Sequence, residues 1–331
     1  MMNAPAILKN RPRVLVTRRW PESVEAQLAE RFDTVFNVDD TPMTPAEFRD
    51  ALTRFDAILP TVTDRLTTEA FDISSPKTRL LANYGVGFSH IDIAAAKAHG
   101  IAVTNTPDVL SECTADLAMT LLLMVARRAG EGERELRAGQ WTGWRPTHLV
   151  GSKVSGKTLG IVGFGRIGQA MAQRAHFGFG MKILVQNRSR VAQEVLDRYQ
   201  AVQVDTLDDL LPACDFVSMH CPGGAENRHL INSRRLDLMK SDAFLINTAR
   251  GEVVDENALV QSLTYECIAG AGLDVFDGEP KVSPALMEFD NLVLLPHLGS
   301  ATAETRTAMG ERVLSNVIAF FEGSTPADRV A

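Results

Sequence analysis

A glycine-rich turn between an apolar run and a helix-forming run constrains this chain more than any other segment. Residues 159–162 are apolar, and Gly163, Gly165 and Gly168 follow in the spacing G-x-G-x-x-G. The first glycine permits a tight turn, the second lets the backbone approach a pyrophosphate, and the third lets a helix pack on the strand. With Arg166 and Ile167 opening that helix, the pattern predicts a dinucleotide-binding unit. The alternative is a tight turn in an unrelated α/β unit.

The length and composition favour two globular domains. At 331 residues the chain is about twice the usual length of a single domain. Its hydrophobic content of 45% and charged content of 23% are ordinary for a chain with full cores. A net charge of −7 argues against a nucleic-acid surface. The longest apolar run, residues 117–126, is far shorter than the ~20 residues of a membrane span, so we expect no membrane partner.

The start of the chain and its cysteines favour a cytoplasmic protein. Residues 1–13 carry charges and prolines but no apolar core region, so we expect no signal peptide. The cysteines are scattered and form no C-x-x-C pair, which favours free thiols over disulfides or a zinc site. We therefore expect no bound metal.

Alternating strand and helix patterns predict an α/β fold with parallel sheets. In the first part, Thr44-Pro-Ala-Glu47 is a capping box that opens a helix to about Thr53. Strands are predicted at 13–17, 34–38, 57–60, 80–83 and 101–104, and further helices at 21–32 and 91–99. After the glycine-rich turn, strands are predicted at 183–186, 216–219, 244–247, 270–273 and 292–295, and a last helix at 304–321.

The helix predicted at 111–128 is apolar on nearly every side, around Leu117, Leu121, Leu122 and Met124. Such a helix should be buried, and we expect it to lie between domains or in a dimer. Residues 139–146, which include Trp141 and Trp144, read as an irregular segment.

A second phosphate-binding pattern is rejected. Gly151-Ser-Lys-Val-Ser-Gly156-Lys157-Thr158 fits the P-loop spacing G-x-x-x-x-G-K-[ST]. A P-loop must follow a strand and open a helix, because the start of that helix completes the phosphate cradle. Here the loop leads into the strand predicted at 159–162, so the match is accidental.

The segment after the second strand of the dinucleotide unit bears on the cofactor. An NAD-preferring site usually carries Asp or Glu about 20 residues after the glycines, to bind the ribose 2′-hydroxyl. That position falls near Gln186 and Asn187, and neither is acidic. Arg188, Ser189 and Arg190 can instead bind a 2′-phosphate through charged hydrogen bonds. The segment therefore favours NADP(H), with NAD(H) as the alternative; a merely solvated basic loop is the other interpretation.

Three later segments each place a charged or titratable side chain just after a predicted strand. They carry Arg250, Glu279 and His297, and open α/β sheets bind ligands at the ends of strands. Singly, the arginine could form a surface salt bridge, the glutamate could belong to a turn, and the histidine could be a core or capping residue. Three such residues at successive strand ends indicate a site.

These side chains suit the reduction of a 2-keto acid. Histidine can deliver a proton near neutral pH, so His297 can protonate the carbonyl oxygen as hydride reaches the carbon. A carboxylate such as Glu279 would orient the ring and favour its protonated form. Arg250 offers a planar fork to the substrate's carboxylate and carbonyl. Strand spacing alone leaves Asp277 as an alternative to Glu279.

At these residues the chain resembles the D-isomer-specific 2-hydroxyacid dehydrogenases over essentially its whole length. The matching signatures are the glycine-rich turn, Asn247-Thr-Ala-Arg250-Gly, Leu273-Asp-Val-Phe-Asp-Gly-Glu-Pro280 and Pro296-His297-Leu-Gly-Ser. The resemblance implies two Rossmann-like or flavodoxin-like parallel-sheet domains, with the cofactor domain inserted into the substrate domain. Residues 106–298 would form the NAD(P)-binding domain, and residues 1–105 with 299–331 the substrate domain.

The resemblance also implies roles for individual residues. Arg250, Glu279 and His297 match the family's catalytic set, and the glutamate is identified by the proline that follows it. The G-V-G stretch at residues 85–87 matches the loop that binds the substrate's carboxylate, through Val86 and Gly87. Positions that line the cofactor in relatives fall on Cys221, Thr248 and Asp274.

Within the family, the sequence is most similar to glyoxylate/hydroxypyruvate reductases, which often use NADPH. Residues 111–150 resemble the dimerisation elements, which implies a homodimer. Trp141 is either the residue that reaches the partner's substrate site or a packing residue of the dimer arm. Formate and phosphite dehydrogenases are alternatives on the same fold, and Glu279 argues against the former, which use Gln there. A dinucleotide-sensing corepressor is a binding-protein alternative, disfavoured by the short ends of this chain.

Overall fold

The computed structural model of the chain describes the range 11–331. The expectation of no signal peptide rests mainly on residues outside it. The strands in chain order are β1 (Arg13–Val16), β2 (Asp33–Phe36), β3 (Ala57–Leu59), β4 (Leu80–Ala82), β5 (Ala102–Thr104), β6 (Thr158–Val162), β7 (Lys182–Gln186), β8 (Ala201–Gln203), β9 (Phe216–Met219), β10 (Phe244–Asn247), β11 (Gly270–Leu273) and β12 (Leu292–Leu294).

The α-helices alternate with these strands. They are α1 (Glu22–Arg31), α2 (Pro45–Arg54), α3 (Ile93–Ala98), α4 (Ser111–Ala126), α5 (Ala129–Arg137), α6 (Arg166–Gln173), α7 (Gln193–Asp197), α8 (Leu207–Leu210), α9 (Ser233–Leu236), α10 (Glu256–Thr264) and α11 (Ala303–Phe321). Shorter 3₁₀ turns and one π turn (Arg174–Gly178) join them. No helix in the described range is long and apolar enough to cross a membrane.

The chain forms two compact units. Unit 1 contains the described residues up to Leu110 together with Thr302–Ala331, and unit 2 is Ser111–Ala301. The sequence predicted domain boundaries at 105/106 and 298/299, and the units divide at 110/111 and 301/302.

Unit 1 is built on a parallel sheet in the order β2-β1-β3-β4-β5. Strands β3, β4 and β5 are buried along their whole length, as expected of a parallel sheet covered on both faces. The predicted capping box is present, because Thr44 accepts the N–H of Glu47 while the Glu47 carboxylate accepts the N–H of Thr44 at 2.7 Å. The last residues return to this sheet, where Arg329 forms an antiparallel bridge with Thr104.

Unit 2 is built on a parallel sheet in the order β12-β11-β10-β9-β6-β7-β8. The strand that leads into the glycine-rich turn, β6, lies between β7 and β9. The chain first adds β7 and β8 on one side of β6 and then the later strands on the other. The order therefore reverses at β6, which is where open α/β sheets bind ligands. The α/β class and the parallel sheets predicted from the sequence are confirmed.

The apolar helix α4 is a core helix of unit 2. Its buried side chains, which include Leu121 and Leu122, pack with those of α6 and of strands β6, β10 and β12 in one hydrophobic cluster. The expectation that this helix is buried is confirmed, and the sheet of its own unit covers its buried face. A position between domains or in a dimer stays a prediction. The helix also ends at Ala126 rather than 128, because Arg128 takes a left-handed φ of 52° before α5.

The sequence left several helices and one strand unpredicted, and its rejection of the P-loop pattern is confirmed. The sequence did not predict β8 or the helices α5, α7, α8, α9 and α10, which lack a long periodic pattern. The rejected P-loop pattern does run into a strand, because Thr158 is the first residue of β6.

One glycine of unit 2 is required by packing rather than by a turn. A side chain at Gly160, in the middle of β6, would begin 2.7 Å from the Cys214 sulfur and overlap Leu210. Both neighbours are fully buried.

We expect Gly160→Ala to destabilise the protein by about 1–3 kcal/mol through overpacking, measured by urea denaturation. Gly178→Ala is the matched control, because open space surrounds that position. Equal stability of the two variants would contradict the prediction.

Candidate active site

The predicted catalytic residues lie at one edge of the unit 2 sheet. Arg250 follows β10, Glu279 lies in the loop after β11, and His297 follows β12. These strands are neighbours in the sheet and run in the same direction. Their carboxyl ends therefore meet at one edge, and the sheet brings together residues that are far apart in sequence.

His297 and Glu279 form a hydrogen-bonded pair. The distance between His297 Nδ1 and Glu279 Oε2 is 2.7 Å, and both side chains are partly exposed. An ionised carboxylate can only accept a hydrogen bond, so Nδ1 carries the proton of this contact. The other ring nitrogen, Nε2, is then the atom able to exchange a proton with a ligand.

The Glu279 carboxyl is held in its ionised form. Burial raises its pKa, but the hydrogen bond and charge of His297, the N–H of Phe276 and the charge of Arg250 outweigh it. The net effect lowers the pKa of Glu279 below its ordinary value. The N–H of Phe276 lies 2.8 Å from Oε1, so each carboxylate oxygen has its own partner.

Asp277 and Glu279, which strand spacing left as alternatives, have different partners. The Asp277 carboxylate faces Arg228, with an Nη2 to Oδ2 distance of 2.9 Å, and His229 lies 3.9 Å away. Glu279 alone of the two contacts His297. The geometry therefore supports Glu279 as the partner of the histidine.

Asp274 holds the turn that carries His297. Its carboxylate oxygens accept the N–H groups of Leu298 and Gly299, at 2.6 and 2.8 Å. Its carbonyl accepts the N–H of His297 at 2.9 Å. His297 has a φ of 55°, in the left-handed region that non-glycine residues seldom adopt, so these bonds fix an unfavourable backbone conformation. Burial raises the pKa of Asp274, opposed by the two N–H bonds and by the charge of His297.

Arg250 is packed into the loop after β10. Burial lowers the pKa of its guanidinium, and the carboxylates of Glu279 and Glu252 oppose that shift. The group remains charged, since arginine is not deprotonated in proteins. Its stem packs on Gly223, where a side chain would begin 2.9 Å from Arg250 Cγ. The Glu252 carboxylate accepts the N–H of Gly224 at 2.6 Å and thereby holds that wall in place.

The three motif glycines occupy positions that fit a dinucleotide. Gly163 has a φ of 92°, and a side chain there would begin 2.7 Å from the backbone nitrogen of Cys221. A side chain at Gly168 would overlap the carbonyl of Gly163. At Gly165 nothing lies within 4 Å, and no side chain caps the helix that starts at Arg166. The start of α6, including Ile167, is thus open to an anion, as a pyrophosphate site requires.

Two further predicted cofactor residues lie at the same edge. The hydroxyl of Thr248, directly after β10, is buried and has no hydrogen-bond partner. Such a group is rare unless a ligand or water satisfies it. Burial raises the pKa of the Cys221 thiol to about 11, so this cysteine is a neutral wall residue at neutral pH. These observations fit a dinucleotide along the carboxyl edge of unit 2.

The segment after β7 is ordered by Asn187. Its Oδ1 accepts the N–H of Phe164 in the glycine-rich turn at 3.1 Å, and its Nδ2 lies 3.0 Å from the Ser189 carbonyl. Arg188 and Arg190 are almost fully exposed, with only Glu226 at 3.2 Å and Asp205 at 3.8 Å as their carboxylate neighbours. Exposed ion pairs of this kind contribute little to stability, so both guanidinium groups can rotate towards a ligand.

In unit 1, the G-V-G loop is fixed through its carbonyl groups. The Asn83 side chain donates to the carbonyls of Gly85 and Gly87, at 2.8 and 3.0 Å, and Asn105 donates to the carbonyl of Val86 at 2.9 Å. His90 in turn contacts Asn83 Oδ1 at 3.0 Å. The loop carbonyls are thereby held, and the backbone N–H groups are the donors left for a ligand.

Sequence reasoning missed the residues that support this geometry. Glu252 and Asn83 bind backbone groups of the loops at the predicted site residues, but neither belongs to a pattern that the sequence made visible. Asp274 was predicted only to line the cofactor, and its bonds to the His297 turn were not foreseen. None of Cys113, Cys214, Cys221 and Cys267 forms a disulfide. No metal-binding cluster occurs in residues 11–331.

Comparison with known proteins shows the family to which this chain belongs. Residues 119–299, which lie inside unit 2, match the model of the D-isomer specific 2-hydroxyacid dehydrogenase NAD binding domain. A glyoxylate reductase of Pyrococcus horikoshii is 45% identical over 320 residues, covering 96% of this chain and 95% of that protein.

Two solved structures have the same fold over nearly the whole chain. A putative D-isomer specific 2-hydroxyacid dehydrogenase from a Polaromonas species has a TM-score of 0.90 and 38% identity, covering 97% of this chain and 100% of that one. An NADPH-dependent glyoxylate/hydroxypyruvate reductase from Sinorhizobium meliloti, in complex with NADP and malonate, has a TM-score of 0.86 and 36% identity, covering 97% of each chain. This chain therefore belongs to the D-isomer specific 2-hydroxyacid dehydrogenases, enzymes with a nicotinamide dinucleotide cofactor, whose NAD-binding domain lies here in unit 2.

Proposed function

We propose that this enzyme reduces a small 2-keto acid, with glyoxylate and hydroxypyruvate as the favoured substrates, to the D-2-hydroxy acid with NADPH. The observation that carries the proposal is the 2.7 Å contact between His297 and Glu279 at the strand ends that also carry Arg250. The similarity to glyoxylate reductases of other organisms supports the substrate class.

The roles of the three residues follow from their chemistry. The bound dinucleotide would supply the hydride. Arg250 would bind the carboxylate and polarise the carbonyl oxygen, since its charged fork matches both acceptors. His297 would deliver the proton from Nε2 while Glu279 stabilises the positive ring and fixes its orientation.

Each unit carries a further group with a proposed ligand contact. For unit 1, we propose that the N–H groups of Val86 and Gly87 bind the substrate's carboxylate. The hydrogen bonds that Asn83 and Asn105 donate to the carbonyls of this loop support the proposal, because they fix the loop through its acceptors. For unit 2, we propose that Thr248 and Asp274 contact the nicotinamide end of the cofactor. The buried hydroxyl of Thr248 without a partner supports that role.

The proposed preference for NADPH rests on the segment after β7. Asn187 orders the segment and carries no charge, while Arg188, Ser189 and Arg190 offer donors to a 2′-phosphate. The preference for NADPH is part of this proposal. A cytoplasmic location of the protein is proposed as well.

A homodimer through residues 111–150 is also proposed. Large apolar side chains in and near that segment are exposed in unit 2: Leu136, Trp141, Trp144 and Val150. Exposed apolar groups in such numbers are typical of an interface.

The deciding experiment compares cofactor oxidation with glyoxylate, hydroxypyruvate, pyruvate and bulkier keto acids, each with NADPH and with NADH. Rapid oxidation of NADPH with glyoxylate or hydroxypyruvate supports the proposal. Binding of NADPH without turnover of any acid would instead favour a dinucleotide-sensing protein, an alternative that the named enzyme relatives disfavour.

The first of three predictions about the site concerns the proton donor. We expect His297→Asn to lower kcat for glyoxylate by about 10²–10⁴-fold, because asparagine cannot deliver a proton. The dissociation constant of NADPH, measured by fluorescence titration, should stay near that of the wild type. His99→Asn, in unit 1 and far along the chain from this loop, is the control. A near-normal turnover of His297→Asn would contradict the role.

The second prediction concerns pH. The pKa of Glu279 lies below its ordinary value, so its carboxylate is charged throughout the neutral range, whereas glutamine has no charge. In Glu279→Gln the positive form of the His297 ring loses this negatively charged partner and is less stable. The pH above which the rate of keto-acid reduction falls should therefore decrease. A pH–rate profile with an unmoved or raised upper limb would contradict the pairing.

The third prediction concerns cofactor choice. We expect Arg188→Ala combined with Arg190→Ala to lower kcat/KM for NADPH by about 10- to 100-fold, through loss of hydrogen bonds between charged groups. The value for NADH should change little, because NADH has no 2′-phosphate. Arg198→Ala, another exposed arginine of unit 2, is the matched control. Equal losses with both cofactors would show that the arginines do not read the phosphate.

A further inference from the structure

We infer that Glu256 is a positioning residue for the reaction: its carboxylate fixes the peptide between Phe276 and Asp277 and, through it, the placement of Glu279 against His297. This inference rests on the proposed roles of Glu279 and His297, and it assigns a function to a side chain that no motif identified.

Glu256 is the first residue of α10, but it is not needed to cap that helix. Asp255 is the N-cap and accepts the N–H groups of Asn257 and Ala258, at 3.1 and 3.2 Å. The Glu256 carboxylate instead leaves the helix, and its Oε1 accepts the N–H of Asp277 at 2.7 Å. The two acids at this helix start therefore serve different segments.

The peptide bound by Glu256 begins the turn that carries Glu279. One residue earlier, the N–H of Phe276 donates to Glu279 Oε1 at 2.8 Å. Glu279 Oε2 then contacts His297 Nδ1 at 2.7 Å. Glu256 and Glu279 thus bind the N–H groups of two successive residues, Asp277 and Phe276, and the backbone of Phe276 links the two contacts.

The same peptide is also held by Gly251. A side chain at Gly251 would overlap the carbonyl group of Phe276 and the nitrogen of Asp277. Gly251 directly follows Arg250, so its backbone belongs to the loop that holds the proposed substrate arginine. Close packing on Gly251 and the bond to Glu256 together fix where the turn lies relative to Arg250.

The charge environment supports a specific role over a chance contact. Burial raises the pKa of Glu256, opposed by the Asp277 N–H bond, while the carboxylates of Asp277 and Glu279 raise it further. A carboxylate among other acids is costly. The turn is also held by the ion pair between Arg228 and Asp277. Because this pair is more exposed to solvent, it constrains the turn less than the hydrogen bond from the Asp277 N–H to Glu256 does.

The test compares Glu256→Ala with Glu256→Gln. Glutamine keeps an acceptor oxygen at the same reach, whereas alanine leaves the Asp277 N–H without its partner. We expect Glu256→Ala to lower kcat for glyoxylate by about 10- to 100-fold, since a displacement of about 1 Å at a reacting group can cost that much. KM for glyoxylate and the dissociation constant of NADPH should change by less than about threefold, and Glu256→Gln should stay within about threefold of the wild type in kcat.

The matched control is Asp215→Ala. Asp215 also accepts a backbone N–H, that of Thr158 at 2.8 Å, but it precedes β9 and so lies at the opposite edge of the same sheet. Its loss should leave kcat nearly unchanged. If Asp215→Ala lowers kcat as much as Glu256→Ala does, or if Glu256→Gln is as impaired as Glu256→Ala, the inference is overturned. Should Glu256→Ala not fold, Glu256→Asp, one methylene too short to reach, is expected to show the same loss of kcat.

A second measurement needs no turnover. Hydrogen exchange of the peptide that spans residues 274–281 should be faster in Glu256→Ala than in the wild type and in Glu256→Gln, because the turn loses its anchor. Unchanged exchange would overturn the inference. A wild type that fails to reduce glyoxylate would refute the proposed substrate, and the exchange result would still decide whether Glu256 holds the turn.

Discussion

The carboxyl edge of the unit 2 sheet, where Arg250, Glu279 and His297 lie, depends on hydrogen bonds between backbone N–H groups and carboxylates. These N–H groups belong to the turns that follow the parallel strands. Within a parallel sheet the ladder satisfies the backbone, but the turns after the strands must find other partners. Asp274 supplies them for the turn at Leu298 and Gly299, and Glu252 supplies one for Gly224. Because each bond is short and at least partly buried, these turns are fixed where flexible loops would otherwise follow the strands.

Close backbone packing is the second constraint, and glycines provide it. Gly163 packs against the end of β9, Gly168 packs against Gly163, and Gly251 packs against the 276–277 peptide. A methyl group at any of these positions would overlap backbone atoms, which cannot move aside as a flexible side chain can. The G-x-G-x-x-G pattern therefore serves packing as well as phosphate access. Gly165 has open space around it, so among these glycines it alone serves only the approach of the phosphate.

The sequence predicted the fold class and the residues that gather at the active edge, because both depend on local patterns. Strand-length apolar runs predict buried strands, and parallel strands bring their carboxyl ends together, so Arg250, Glu279 and His297 were foreseeable as neighbours. Their supports were not. Glu256 lies in the first turn of a helix, where acids are common for their effect on the helix dipole alone, and its bond to Asp277 spans 21 positions of the chain. The burial of α4 was foreseeable, but what buries it was not, since an apolar helix looks the same whether a sheet or a second copy covers it.

Among the carboxylates at this edge, Glu279 alone contacts His297. Asp274, Glu252 and Glu256 accept hydrogen bonds from backbone N–H groups. Glu279 binds the N–H of Phe276 with one oxygen and the ring of His297 with the other, so the conformation of its own turn fixes its distance to the histidine. Aspartate could not span both contacts from the same backbone position, while glutamine could keep the geometry and lose the charge. The placement of His297 and the negative charge beside its ring are thus separable properties of one side chain: the turn held at Gly251 determines the first, and the ionised carboxylate supplies the second.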